Sequence, residues 1–130
     1  MKDFKRIREL NLISKKKISN HMYRLTFNSN DLHDFSDNEA GGYVKLIFPQ
    51  QIPNSNTHLV RPYTIRNFRK EKLEIDIDFV VHNEKKGLAS CWALKADVGD
   101  KIKISGPGPK QKINDSLDWY FFIGDMSALP

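Results

Sequence analysis

The sequence predicts a small, closed antiparallel β-barrel with one short helix. Apolar and polar residues alternate over several short stretches, most cleanly over 73–79, as in strands with one buried face. Turn-forming residues separate these stretches, and residues 88–95 supply the one convincing helical pattern. Closing short antiparallel strands into a barrel removes their exposed edges, so a barrel is the arrangement we expect.

The first half of the chain contains two predicted strands. Residues 22–27 place apolar side chains at every second position and predict a half-buried strand. Residues 31–35 predict a single helical turn. The nearly apolar run 43–48, closed by Pro49, predicts a buried strand, and the polar residues 50–60 predict a loop.

The second half supplies the remaining elements of the barrel. A strand over 63–68 is expected to pair with 73–79 through a turn at 69–72. The helix follows at 88–95. A further alternating strand, 101–105, ends at a run of glycine and proline.

Size and composition indicate one compact domain. The chain has 130 residues, and 39% of them are hydrophobic, which is enough for a core. It has no apolar run long enough to cross a bilayer, and charges fall where a signal peptide is apolar. Cys91 is the single cysteine, so no intramolecular disulfide forms. We therefore expect a cytoplasmic protein without a membrane partner.

The net charge of +5 is concentrated at the N-terminus. Residues 1–17 hold seven basic and two acidic residues, which accounts for the whole excess. Such a segment can contact nucleic acid, an acidic membrane or an anionic small molecule, but we interpret it as a solvated tail. A nucleic-acid-binding barrel remains a less favoured alternative, because aromatic residues are not interleaved with these charges.

The last twelve residues follow a different pattern. Residues 119–123 are continuously apolar, as in a strand buried on both faces of a parallel sheet, and Gly124-Asp125 follows as a turn. We expect residues 1–118 to form the barrel and 119–130 to begin a second, α/β domain that this chain lacks. Left unpaired, residues 119–123 would favour self-association.

Three residues of one predicted strand suit a flavin dinucleotide. Arg61 can bind a pyrophosphate through two parallel hydrogen bonds. Tyr63, on the same strand face, offers a ring for stacking on an isoalloxazine, and Thr64 offers a hydroxyl for the flavin N5 atom. The alternative is a chance grouping, since a short motif alone is weak.

A glycine before the predicted helix suits an anion. With Gly87 at the boundary, the amides of Leu88, Ala89 and Ser90 lack intrahelical acceptors and can bind a phosphate, to which Ser90 adds a hydroxyl. The alternative is ordinary capping by water or a local side chain.

The strand that ends at 82 can pass beside the same ligand. Backbone groups of Asp78, Phe79 and Val80 can bond the pyrimidine edge of a flavin without any special side chain. His82 can approach the adenosine or diphosphate portion, and the alternative for it is a plain surface histidine.

These three motifs, in their order along the chain, resemble those of the siderophore-interacting protein family. Its members are flavin-dependent ferric-siderophore reductases related to ferredoxin reductases. The resemblance covers most of the chain from residue 44. The matching stretches are VKLIFP (44–49), RPYTIR (61–66), IDFVVH (77–82), GLASCWA (87–93), VGDKIKISGPGP (98–109) and FIGDMSALP (122–130).

The resemblance implies a fold and a cofactor. It implies a six-stranded antiparallel Greek-key barrel that binds FAD, normally followed by an NAD(P)H-binding domain, of which 119–130 would be the first strand and turn. The FAD contacts it implies are Arg61, Tyr63 and Thr64, the strand at 79–82 and the phosphate loop at 87–90.

The resemblance also implies a pocket for an anionic ferric siderophore. Lys45 lies in the VKL motif, where a lysine lines that pocket; a solvated strand charge is the alternative. The Gly-Pro-Arg-Gly often found in the family reads Gly-Pro-Gly-Pro over 106–109. Gly108 therefore takes the place of the pocket arginine, and the charge is missing unless Lys110 or Lys112 replaces it.

The implied activity is reduction of siderophore-bound Fe(III) by NAD(P)H through FAD, which releases Fe(II). Such chemistry needs no catalytic acid, base or nucleophile from the protein, and the scattered histidines and single cysteine predict no metal site. The alternative within the enzymes is a ferredoxin-reductase-type flavin oxidoreductase with another acceptor. Without the second domain, we expect the chain to bind FAD but to turn over slowly with NAD(P)H.

Overall fold

A computed structural model describes residues 6–51, 53–81, 87–110, 113–125 and 128. Within these ranges the chain forms seven strands and one α-helix. The strands are β1 (Arg8–Ser19), β2 (Met22–Asn28), β3 (Tyr43–Gln51), β4 (His58–Thr64), β5 (Asn67–Arg69), β6 (Glu74–Val80) and β7 (Lys101–Ser105). The helix is α1 (Leu88–Lys95), and 3₁₀ turns lie at Asn30–Leu32 and Lys70–Lys72.

The seven strands form one antiparallel sheet that curls on itself. Their order is β4-β3-β7-β1-β2-β6-β5, so the two edge strands are consecutive in the chain. Ile65 and Arg66 join them. The amide of Ile65 donates to Gly42 on the β3 side, and the amide of Arg66 donates to Asp76 of β6, both at 2.8 Å. One short segment thus reaches both ends of the sheet, which confirms the predicted barrel-like class.

The structure has seven strands where six were expected, because two predictions were wrong. The N-terminal segment is not a solvated tail: β1 lies in the middle of the sheet and buries Leu10 and Leu12. The lysines at 15–17 hid its alternation. The strand predicted over 63–68 is divided, since its first part pairs with β3 and only 67–69 pair with β6.

The loop predicted over 50–60 is shorter, because β4 already begins at His58, whereas several other boundaries agree closely with the sequence pattern. The helix and β7 occupy the predicted ranges 88–95 and 101–105, and the turn between β5 and β6 is a 3₁₀ turn. β3 continues past Pro49 to Gln51, because its register with β4 shifts between Ile47 and Gln51. An irregular ladder tolerates a residue that has no N–H.

The core consists of aromatic and aliphatic side chains inside the barrel, with α1 packed against it. Phe27, Phe48 and Phe79 are fully buried, and the Trp92 ring of α1 lies 6.2 Å from each of their rings. Lys15 of β1 fixes the end of the helix, donating to the carbonyls of Leu94 at 2.8 Å and Ala96 at 3.1 Å. A cation at a helix C-terminus is favourable.

Residues 119–123 have no regular secondary structure and pair with none of the strands described above. Their apolar side chains are exposed, from 41% for Tyr120 to 85% for Ile123. Among the described residues, no helix is long and apolar enough to cross a membrane.

Candidate functional site

The barrel has an open seam between β4 and β6, defined here by residues 60–64 and 78–80. Alternate residues of a strand direct their backbone groups to opposite neighbours. Directly after β6, the amide of Val81 donates at 2.8 Å to the turn before β2, whereas within β6 the carbonyl of Asp76 accepts from Arg66 on the other side. The backbone groups of Asp78 and Val80 therefore point past the end of β5, where no described strand pairs with them.

The opposite side of the open seam is the free edge of β4. Because the backbone of Ile65 bonds toward β3, the alternation directs the groups of Thr64 and Pro62 into the seam. Pro62 has no N–H to leave unpaired, as is typical of an edge strand. The open seam therefore presents backbone donors and acceptors from both strands.

Tyr63 forms a fixed aromatic platform beside this seam. Its ring centroid lies 4.6 Å from that of Phe79, with 31° between the planes. Burial raises the pKa of the Tyr63 hydroxyl, and the charge of Arg61 opposes that shift. The ring is half-buried, so Phe79 supports it while part of its surface stays accessible.

Arg61 and Thr64 lie on either side of this platform. Arg61 shares the strand face of Tyr63 and is exposed; its guanidinium donates to the carbonyl of Val60 at 2.8 Å. No carboxylate in the described part of the chain forms an ion pair with it. Thr64 lies on the opposite face, directly across from Tyr43. A ligand along the free edge of β4 can reach both faces.

The start of α1 agrees with the predicted anion site. Gly87 is the N-cap residue and is extended, with φ −100° and ψ 132°; as a glycine it supplies no capping side chain of its own. The amide of Cys91 is the first to bond within the helix, donating to Gly87 at 2.9 Å. The amides of Leu88, Ala89 and Ser90 precede that bond. Ser90 is only 7% exposed, so little of its surface is open to a ligand.

The three predicted elements meet through their aromatic side chains. Tyr63 of β4 packs on Phe79 of β6, and Phe79 lies 6.2 Å from Trp92 of α1. Phe79 is fully buried, and the alternation directs its backbone groups toward β2, so the predicted backbone contact of Phe79 with a ligand is not available in this structure. His82 lies outside the described residues.

The proposed substrate-binding residues lie on either side of Tyr43. Lys45 is exposed two residues after it in β3, and Lys110 lies beside Gly41, two residues before it. The ammonium group of Lys110 donates to the carbonyl of Asn38 at 2.9 Å. Lys112 lies outside the described residues.

The structure gives a reason for the missing arginine. A Cβ atom on Gly108 would lie 2.1 Å from the Tyr43 ring, so that ring occupies the space where a side chain would begin. The amide of Gly108 also donates to the Tyr43 carbonyl at 2.8 Å, which fixes the two backbones together. Tyr43 was predicted only as part of the buried strand 43–48, with no role at the site.

The arginine partners of the acidic residues in β6 were also not predicted from the sequence. The acidic residues that alternate over 74–78 are not a wet face, because they pair with Arg24, Arg66 and Arg69. The cross-strand register that pairs them cannot be read from one strand alone. Among the described residues, no three His, Cys, Asp or Glu side chains are grouped so as to hold a metal.

Comparison with known proteins identifies the family. The fold is that of ferredoxin-reductase-like flavin-binding barrels: a ferredoxin NADP+ reductase from Neisseria gonorrhoeae superposes with a TM-score of 0.58 at 16% identity, covering 76% of this chain and 36% of that one. The model of the siderophore-interacting FAD-binding domain matches residues 11–56 and 50–111. The chain belongs to that family.

Two relatives illustrate the relationship. Ferric vibriobactin reductase ViuB of Vibrio cholerae is 33% identical over 138 residues, covering 95% of this chain and 51% of the relative. The siderophore-interacting protein SipS of Aeromonas hydrophila is 35% identical with a TM-score of 0.69, covering 81% of this chain and 44% of that structure. The chain spans about half the length of the curated relatives it matches.

Proposed function

We propose that this chain is the FAD-binding part of a cytoplasmic ferric-siderophore reductase that uses NAD(P)H. The observation that carries the proposal is the open seam, where the backbone edges of β4 and β6 and the Tyr63 platform meet the start of α1 through Phe79 and Trp92. The names of two relatives, a ferric vibriobactin reductase and an NADPH-dependent ferric-chelate reductase, support it.

The residues at the seam fit FAD. Arg61 and the amides at the start of α1 would hold the two phosphates, and Tyr63 would hold the flavin ring by stacking. The backbone groups of Asp78 and Val80 would meet the polar edge of that ring. When bound, FAD accepts an electron pair and releases single electrons, as iron requires.

The positively charged groups beside Tyr43 would attract the iron chelate. Lys45 is exposed and forms no hydrogen bond or ion pair within the described part of the chain, whereas Lys110 is held by the loop before β3. A cationic surface raises the local concentration of an anionic ligand and the rate at which it arrives. These residues therefore bind and orient the chelate and transfer no protons.

FAD titration of the 130-residue chain tests the cofactor assignment. Arg61→Ala should weaken FAD binding by about tenfold, as expected for losing a charge-assisted contact of about 1.4 kcal/mol. Arg6→Ala is the matched control, because Arg6 is also exposed but pairs with Asp31 and Asp34, which lie outside the open seam. Wild-type protein that fails to bind FAD would refute the assignment.

The acceptor requires a separate measurement. Photoreduced, FAD-loaded protein is mixed with ferric siderophore or with ferredoxin, and reoxidation is followed by flavin absorbance. Faster reoxidation by the ferric siderophore, lost in Lys45→Ala, supports the proposed substrate. Preference for ferredoxin would favour the other class of flavin oxidoreductase.

We also propose that residues 119–123 contact a second domain or another chain. Five consecutive apolar side chains are exposed there, which is costly in water. Sedimentation velocity of wild type and of the Phe121→Ser/Ile123→Ser variant tests self-association. Identical monomeric behaviour in both would exclude it.

A further inference from the structure

A cluster of charges lies directly behind the open seam on β6. The carboxylate of Asp78 is 4% exposed, and its two oxygens accept from Arg24 at 2.7 and 2.9 Å. The Nε atom of Arg66 lies 3.8 Å from the same carboxylate. This bidentate hydrogen bonding raises the pKa of Arg24, so its positive charge is permanent.

Asp78 also contributes its backbone to the open seam. Its carboxylate is held by a neighbour across the β2–β6 register and by the segment that joins β4 to β5. A side chain fixed from two sides restricts rotation of the peptide groups next to it. The cluster therefore sets the direction of the N–H and C=O groups that Asp78 presents to a ligand.

A second cluster on the same sheet lacks this property. Asp76 accepts from Arg69 at 2.7 and 2.8 Å and from Thr26 at 2.7 Å. Its backbone carbonyl, however, already accepts from the Arg66 amide. The two aspartates thus differ in one relevant respect, which is whether their backbone faces a strand or the open seam.

We propose that Arg24, Asp78 and Arg66 position the backbone of β6 for the flavin ring and raise the reduction potential of bound FAD. This inference rests on the proposed function. Two guanidinium groups contact the one carboxylate of Asp78, so the charge nearest its backbone groups is positive, while Arg69, Glu74 and Asp76 form the next group along β6. Reduction adds electrons to the ring, and nearby positive charge favours the reduced form.

Equilibrium FAD titration, absorption spectra and redox-dye titration of bound FAD test the inference on the 130-residue chain. Asp78→Asn and Arg24→Gln should each weaken FAD binding by about tenfold, or about 1.4 kcal/mol. Their potentials should shift in opposite directions, since removing the carboxylate leaves more positive charge and removing the guanidinium leaves less. Arg24→Lys keeps the charge and should keep the potential close to that of the wild type.

Two further variants separate positioning from general stability. Arg66→Gln removes a half-exposed charge held only by a long contact, so it should fold normally and lower the potential. Asp76→Asn is the matched control: it should lower the melting temperature, leave the flavin spectrum unchanged and move the potential much less than Asp78→Asn does, because Asp76 lies further from the open seam.

Three outcomes are decisive against the inference. Potentials that do not move in Asp78→Asn and Arg24→Gln would overturn it, as would shifts of the same sign. Equal effects in Asp76→Asn and Asp78→Asn would reduce the cluster to a structural role. Wild-type protein that binds no FAD would instead refute the proposed function itself.

Discussion

Replacing Gly108 with alanine should destabilise the protein through one side chain, Tyr43. The added Cβ would meet three atoms of that tyrosine at 2.1, 2.3 and 2.6 Å. Carbon atoms prefer separations of about 3.5–4.0 Å, so the ring would have to move by about 1.4 Å. The backbone cannot separate instead, because the Gly108 amide donates to the Tyr43 carbonyl at 2.8 Å.

The expected cost is that of forcing an extra methyl group into a packed site, about 1–3 kcal/mol. Urea denaturation of Gly108→Ala, Tyr43→Ala and the double variant measures this cost and its source. In the Tyr43→Ala background the glycine replacement should cost nothing, which gives a coupling energy of at least about 1 kcal/mol.

Tyr43→Phe is the informative control. It removes the hydroxyl but keeps the ring atoms at 2.1 and 2.3 Å, so it should not rescue Gly108→Ala. Wild-type stability of Gly108→Ala, or equal penalties with and without the Tyr43 ring, would refute the steric explanation for the glycine.

Two predictions concern charged residues that stabilise the barrel. Burial alone would raise the pKa of Asp76, but hydrogen bonds from Arg69 and Thr26 outweigh it and hold the pKa of that carboxyl below its usual value. The stability that this carboxylate contributes is present above its unfolded pKa and is lost as pH falls through its folded pKa. The melting temperature should therefore decrease as the pH is lowered beyond about pH 4. Asp76→Asn should flatten that acidic limb, and an unchanged limb would contradict the assignment. The side chain of Arg8 is 7% exposed and donates to both carboxylate oxygens of Asp34 and to the carbonyls of Asp31 and Gly106. Arg8→Lys should lower the free energy of unfolding in urea by about 2 kcal/mol, because one ammonium group cannot reach all these acceptors. A loss of less than about 0.5 kcal/mol would show that the planar guanidinium, with its several N–H donors, is not needed at this position.

The sequence predicted those elements whose local pattern agrees with their environment. The helix at 88–95 and the strand at 101–105 have the expected bounds, because their buried positions follow the periods of helix and strand. β1 was not predicted, because its second half lies beyond the core and carries lysines at 15–17. The division of the 63–68 strand is a property of barrel closure, which no local pattern contains.

For the candidate site, sequence reasoning found groups but not their neighbours. Arg61, Tyr63 and the helix start could be proposed, because residue type and order indicate their chemistry. It missed the Tyr63–Phe79 ring contact and the Arg24–Asp78 pair, which depend on cross-strand register. It noted the glycine at 108 without its cause, since Tyr43 lies in another strand.

The open seam has a consequence for how this domain tolerates change in evolution. Much of what it offers a ligand consists of main-chain atoms, which survive every replacement except proline. An insertion or deletion of one residue in the Ile65–Arg66 connection would instead exchange inward and outward residues along a strand. Loop lengths near the connection should therefore be far more constrained than the identities of the surrounding side chains.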